Sequence, residues 1–264
     1  MNVTKAAGIT AVALAGYDAL VRPRMLGCGA SRGEQRMRLP GDEIASGVPA
    51  HYTRAVTIEA PPEAVWPWLA QIGDHRAGFY SHDWVERFIF PGTVHYIEGT
   101  HSATRIHPEL QQVHIGDRIN TGSIGKKFAV GNPVTVIEPG RALVIGTWAF
   151  VLQPLPGRRT RLLVRDRDWG YLRAAAPRRL ALLRAALGVI DYLIGEPLHF
   201  AMERKMMLGL KQRAESAPTQ RSPAASAAKD GHRPAGSRHR PVSRQLLARL
   251  DWGGCFSCGR GWVA

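Results

Sequence analysis

Four histidines, His95, His101, His107 and His114, follow one another at spacings of six or seven residues. Imidazoles are common metal ligands, but ligand sets come at tighter helical or strand spacings, with an orienting partner behind each ring. No H-E-x-x-H or comparable pattern accompanies them, so no metal is expected. Asp83 and Glu86 stand three residues apart, just after Tyr80 and His82. A carboxylate and an imidazole beside an apolar cavity have shifted proton affinities and can serve as acid and base. The same spacing fits a capping box, with Asp83 closing the first helical turn and Glu86 reaching back, and that structural role is the expectation. His199 and Glu203 lie one helical turn apart. That spacing suits a pair projecting into a cavity or a solvated i,i+4 pair, and the sequence leaves both open. Cys255-Phe-Ser-Cys258 has neither a strand-to-helix setting nor a second ligand pair, so it reads as incidental. No nucleophile elbow, phosphate-cradling loop or dinucleotide fingerprint occurs, no cofactor is expected, and catalysis is the lesser expectation.

The elements that must position these residues open with Thr53 to Glu86. From Arg54 to Glu59 the chain alternates, with Ala55, Thr57 and Glu59 on one side and Val56 and Ile58 on the other. That predicts a half-buried strand. Pro61 and Pro62 suit the first turn of a helix, whose apolar face is Val65, Trp66, Leu69 and Ile72 and whose stop is Gly73. Asp83 begins a second short helix carrying Trp84, Val85, Phe88 and Ile89. Strands are expected at Arg118–Thr121, Phe128–Val130, Val134–Glu138, Ala142–Trp148, Phe150–Pro154 and Thr160–Arg167. Gly131-Asn132-Pro133, Pro139-Gly140-Arg141 and Pro156-Gly157 read as turns, and Gly122 to Lys127 as a turn with a basic tip. Short strands with such turns make an antiparallel meander whose buried face needs a cover. That cover is a final helix expected to start at Pro197, because proline cannot sit deep inside a helix. Ahead of it, RRLALLRAALGVIDYLIG forms a further apolar helix within residues 172–195.

The segments APPEAVWPWLAQIG, RAGFYSHDWVE, RIHPELQQVHIGDRI, TWAFVLQPL, TRLLVRDR and EPLHFAMERKMMLGLKQRAE together resemble the SRPBCC superfamily of START-like, polyketide-cyclase-like and pollen-allergen-like proteins. The resemblance spans roughly Leu39 to Glu215 and implies an α+β helix-grip fold, a curved antiparallel sheet wrapped around a long C-terminal helix. It implies a binding or transport role for a small hydrophobic ligand, lipid or polyketide-like, in an apolar cavity. The alternatives are a cyclase/dehydratase-like enzyme with His82 or His199 as base, and a membrane-tethered interaction protein without an open cavity. The superfamily hosts many roles on one scaffold, so no catalytic set transfers. Tyr80, His82, Asp83, Arg105, Glu109, His199 and Glu203 are the candidates to line or gate the cavity.

Composition sets the remaining bounds. The 264 residues are 45% apolar and carry a formal charge of +14, from 35 basic and 21 acidic residues. A basic balance favours acidic partners. No aromatic-interleaved basic stripe or zinc-finger spacing points to nucleic acid, so an anionic membrane surface is the second expected partner. Three cysteines, an odd and sparse set, make no disulfide framework. Residues 1–38 form an N-terminal apolar helix and linker. The run Ala6 to Val21 is shorter than the ~20 residues a spanning helix needs and is interrupted by Asp18. Arg22, Arg24, Arg32, Arg36 and Arg38 follow it against one lysine before it. Insertion would therefore leave residues 39–215, the expected domain, on the cytoplasmic face. Residues 216–264 read as a basic tail without periodic pattern, apart from one short helix at Ser243 to Trp252.

Overall fold

Six strands lie between Tyr52 and Asp166: β1 (Tyr52–Ile58), β2 (Arg118–Ile124), β3 (Phe128–Glu138), β4 (Ala142–Ile145), β5 (Trp148–Leu155) and β6 (Arg159–Asp166). In the computed structural model they form one curved sheet in the order β1-β6-β5-β4-β3-β2, antiparallel throughout. The structure describes residues 3–89, 94–124, 128–167, 172–173 and 176–216. The expected basic tip at 125–127, the tail with Cys255 and Cys258, and the expected helix at Ser243–Trp252 lie outside these residues. Residues up to Ser216 form one compact unit.

Three strand boundaries differ from the expectation, the first being β2, which runs on to Ile124 through the expected start of a turn at Gly122. Gly131-Asn132-Pro133 is not a turn but the middle of β3. Pro133 lacks an amide hydrogen, yet its carbonyl accepts the Gly146 N–H at 2.8 Å, and a register shift follows between Val134 and Val136. Proline is tolerated at such an irregularity. The expected strand Ala142–Trp148 breaks instead at Gly146-Thr147, where Ile145 pairs with Trp148 across a two-residue turn. Gly146 has φ +63°, the left-handed backbone that such a tight hairpin requires.

The sheet is covered on both faces. On the inner face Ile58, Leu143, Phe150, Leu162 and Val164 pack with Val65, Leu69, Met206 and Leu210 from the helices. These come from α4 (Pro62–Ala70) and the C-terminal α7 (Glu196–Ser216), in an α+β helix-grip arrangement. On the outer face Ala55, Ala142, Val151 and Leu163 pack with Leu39. So β1 is buried on both sides, where a half-buried strand was expected. The cause is the segment just before it. Arg161 holds Glu34 at 2.7 Å and the Gly29 carbonyl at 2.6 Å. Arg165 holds Asp42 at 2.8 Å and the Glu34 carbonyl at 2.9 Å. Three residues of a short stretch, Gly29, Glu34 and Asp42, are thereby tied to β6, with α3 (Arg32–Arg36) opened by a Ser31–Glu34 capping box.

The expected helix start at Pro197 is also corrected. Helix α6 (Ala181–Ile190) continues through a π turn, Asp191–Gly195, directly into α7. In that turn the Glu196 N–H bonds the Asp191 carbonyl, five residues back. The wide turn shifts the hydrogen-bond register just ahead of the proline, which spares its ring the usual clash with a carbonyl four residues earlier. The N-terminal helix repeats the device. It runs from α1 (Val3–Gly16) through a π turn, Tyr17–Val21, into α2 (Arg22–Leu26), with Pro23 next after Arg22. Among the described residues no helix is long and apolar enough to cross a membrane.

Candidate functional site

Val56 and Ile58 face the inner core, and two residues back on the same side of β1 stands Arg54. It is only 1% exposed. Its Nη1 donates to Glu203 Oε2 at 2.5 Å, and its Nε donates to the Met25 carbonyl at 2.9 Å. Glu203, on the inward face of α7, is 2% exposed. Its Oε1 accepts both the Tyr52 hydroxyl at 2.7 Å and the Trp148 indole N–H at 2.8 Å. The guanidinium lies over the Tyr52 ring at 4.0 Å and near the Phe200 ring at 5.1 Å. One turn before Glu203 along α7, the His199 ring stands 5.5 Å from that of Tyr52.

Five polar side chains from three elements, β1, β5 and α7, thus converge inside an otherwise apolar core. Burial pushes the Glu203 carboxyl up, but Arg54, His199 and the hydrogen bonds from Tyr52 and Arg54 outweigh it and hold the group below the usual carboxylate range. Burial pushes the His199 imidazole down to about 4, with Glu203 pulling the other way, so the ring is neutral at physiological pH. Phe79 and Phe150 flank Trp148 at centroid distances of 6.4 and 4.5 Å, which makes one wall of the cluster aromatic.

Of the seven expected site residues, only His199 and Glu203 meet in this cluster. Tyr80 is buried with φ +56°, and its hydroxyl donates to the Trp68 carbonyl and accepts from Gln71, each at 3.0 Å. Burial drives its phenol well above the usual range, and α7 crosses close over its backbone at Gly209. His82 heads the short helix α5 (Asp83–Ile89), its carbonyl accepting the amides of Val85 and Glu86. Burial first, then Lys205, lowers its imidazole.

Asp83 and Glu86 do not form the expected capping box. Asp83 accepts the Ser102 amide at 3.0 Å and its hydroxyl at 2.6 Å, because the loop before β2 folds back over α5. Glu86 turns inward instead, accepting the Tyr96 hydroxyl, while its other oxygen is buried without a hydrogen bond. Burial raises this carboxyl to about 7. Arg105 and Glu109 lie at the surface, their side chains 76% and 59% exposed, and line no core. Arg105 faces Glu98 at 3.5 Å, and Glu109 meets the buried His107 ring at 3.2 Å. His107 also holds Glu98 at 2.8 Å, and His75 stacks on His95. Among the described residues no three His, Cys, Asp or Glu side chains are grouped to hold a metal ion.

Tyr52, Arg54 and Trp148 were missed in the sequence. The available signal was parity: Arg54 falls on the same side of the strand as Val56 and Ile58, a charge placed on the apolar face.

No family model matches the chain, and no curated protein does. Solved structures similar to it include the crystal structure of a protein from Mesorhizobium loti, at 18% identity and a TM-score of 0.25, covering 63% of this chain and 98% of that one. Another is the solution structure of a Polyketide_cyc-like protein from Corynebacterium glutamicum, at 11% identity and a TM-score of 0.30, covering 69% of this chain and 96% of that one. Likenesses this distant bring no activity with them.

Proposed function

We propose that the protein binds a small, largely apolar molecule with one polar group, a lipid or polyketide-like ring, between the inner face of the sheet and α7. The supporting observation is the cluster of Arg54, Glu203, Tyr52, Trp148 and His199. A buried ion pair adds little to stability over apolar residues of the same volume, because desolvation offsets its attraction. Its presence in an apolar core is better accounted for by recognition, where a few placed polar groups orient a ligand that apolar walls hold. Glu203, held in place by the hydrogen bonds from Tyr52, Trp148 and Arg54, is the acceptor for a hydroxyl on the ligand. Phe79, Phe150 and the Trp148 ring supply the aromatic wall.

The test is a fluorescence titration of the full chain with fatty acids, isoprenoids and aromatic polyketides, comparing wild type with Trp148→Phe. Saturable quenching with a raised Tm is expected in the wild type, and weaker binding in the variant. A flat response and an unmoved Tm across the whole panel would overturn the reading.

A second reading, a cyclase- or dehydratase-like enzyme, is favoured by one observation. The His199 ring stands one turn from Glu203 and 5.5 Å from the Tyr52 ring, among the polar groups of the cluster. Under it, His199→Asn abolishes turnover of a ligand that still binds, and unchanged turnover in that variant removes His199 as the base.

A further inference from the structure

Among the described residues, large apolar side chains are exposed on α5, where Trp84 is 67% and Phe88 80% exposed, and on a pair of helices. Helix α6 buries none of its residues, with Leu182 90% exposed and Val189 56% exposed, and Ile194 in the following π turn is 61% exposed. The N-terminal helix beside it presents Val12 at 75% and Leu20 at 59%. The two π turns lock these helices together. The Tyr17 and Tyr192 rings meet edge to face at 5.6 Å, the Tyr192 hydroxyl donates to Asp18 at 2.9 Å, and Arg22 pairs with the buried Glu196 at 2.9 Å. The helices therefore form a fixed pair with exposed aliphatic side chains.

Exposed basic residues accompany this pair: Lys5 and Arg24 on the N-terminal helix, and Arg173, Arg178 and Arg179 just ahead of α6. The exposed acid on the pair, Asp18, is already engaged by Tyr192 and by Arg22. We propose that this helix pair is a docking surface for an anionic lipid bilayer, its aliphatic side chains entering the headgroup–acyl boundary and its arginines meeting lipid phosphates. Neither helix is long and apolar enough to cross, which suits helices lying in the interface. Charge decides against a second copy of this chain, since a two-fold contact through the same patch would bring like-charged arginines together. The inference stands whether or not the core takes a ligand.

The experiment is flotation of the full chain with vesicles of phosphatidylcholine alone and of phosphatidylcholine with about one third phosphatidylglycerol. Light scattering without lipid gives the oligomeric state, and circular dichroism checks folding. Wild type is expected to be monomeric and to float with the anionic vesicles, with binding that falls as salt is raised. Leu182→Asp with Ile194→Asp, both at exposed positions, lowers binding by at least about tenfold. Arg178→Glu with Arg179→Glu lowers it by about tenfold or more on anionic vesicles only. Three outcomes would overturn the proposal: no flotation, flotation undiminished by the aspartate pair, or a dimer that the aspartate pair disperses.

Discussion

Glu203 accepts three hydrogen bonds in the core, one of them from a guanidinium that has no water to turn to. Glu203→Ala strands the Arg54 charge and is expected to cost about 3–5 kcal/mol in denaturant unfolding. Arg54→Met combined with Glu203→Leu is expected to recover part of that loss, since the stranded charge is gone while the Tyr52 hydroxyl and the Trp148 indole N–H still lack their acceptor. A double variant as unstable as Glu203→Ala would show that the cluster is chiefly a structural device.

Two buried groups also give the fold opposing pH dependences. Glu86, 6% exposed, has a folded-state pKa of about 7 against 4.5 for the free side chain. Its contribution is complete below about 4.5 and is lost as pH rises through 7, amounting to roughly 3 kcal/mol. His199 runs the other way. With a folded value of about 4 against 6.5, it contributes fully above 6.5 and loses that contribution as pH falls through 4. Urea melts of wild type against Glu86→Gln are therefore expected to show the variant gaining relative stability between pH 4.5 and 7. Parallel curves would remove Glu86 from the account.

At the scale of elements, the crossing of α7 over the Tyr80 loop depends on Gly209. A Cβ there would stand 2.3 Å from the Tyr80 carbonyl oxygen, and backbone cannot yield as a flexible side chain can. Gly209→Ala is expected to destabilise by about 1–3 kcal/mol despite alanine's better helix propensity, as measured by thermal melts. A stabilised variant would mean that the helix is free to shift away from the loop.

Much of this level was legible in the residues. Period-two alternation marked β1, proline pairs marked the start of α4, and Pro-Gly turns marked the β3–β4 and β5–β6 hairpins. Pro133 and Pro197 misled because local chemistry usually breaks an element at proline. Here a register shift and a π turn absorb the missing donor, and both come from tertiary contacts that adjacent residues do not reveal. The capping-box expectation for Asp83 and Glu86 failed for the same reason, since Ser102 and Tyr96 reach those carboxylates from a distant loop. Tyr52, Arg54 and Trp148 join Glu203 from strands more than fifty residues away, a convergence that only the folded chain makes.

Across the described residues, a polar cluster lies inside the helix grip and a pair of helices with exposed aliphatic side chains lies outside it. The two proposals fit one economy of action, a protein that rests on a membrane and holds an apolar molecule drawn from it. They are separable, because the helix-pair substitutions lie at the surface and leave the core cluster intact. The most direct test of the central claim is native mass spectrometry of the full chain purified from its own host, set beside Arg54→Met/Glu203→Leu purified in the same way. A stoichiometric apolar adduct is expected on the wild type and is expected to be missing from the folded double variant. A clean unliganded mass for both proteins, or the same adduct on both, would contradict it.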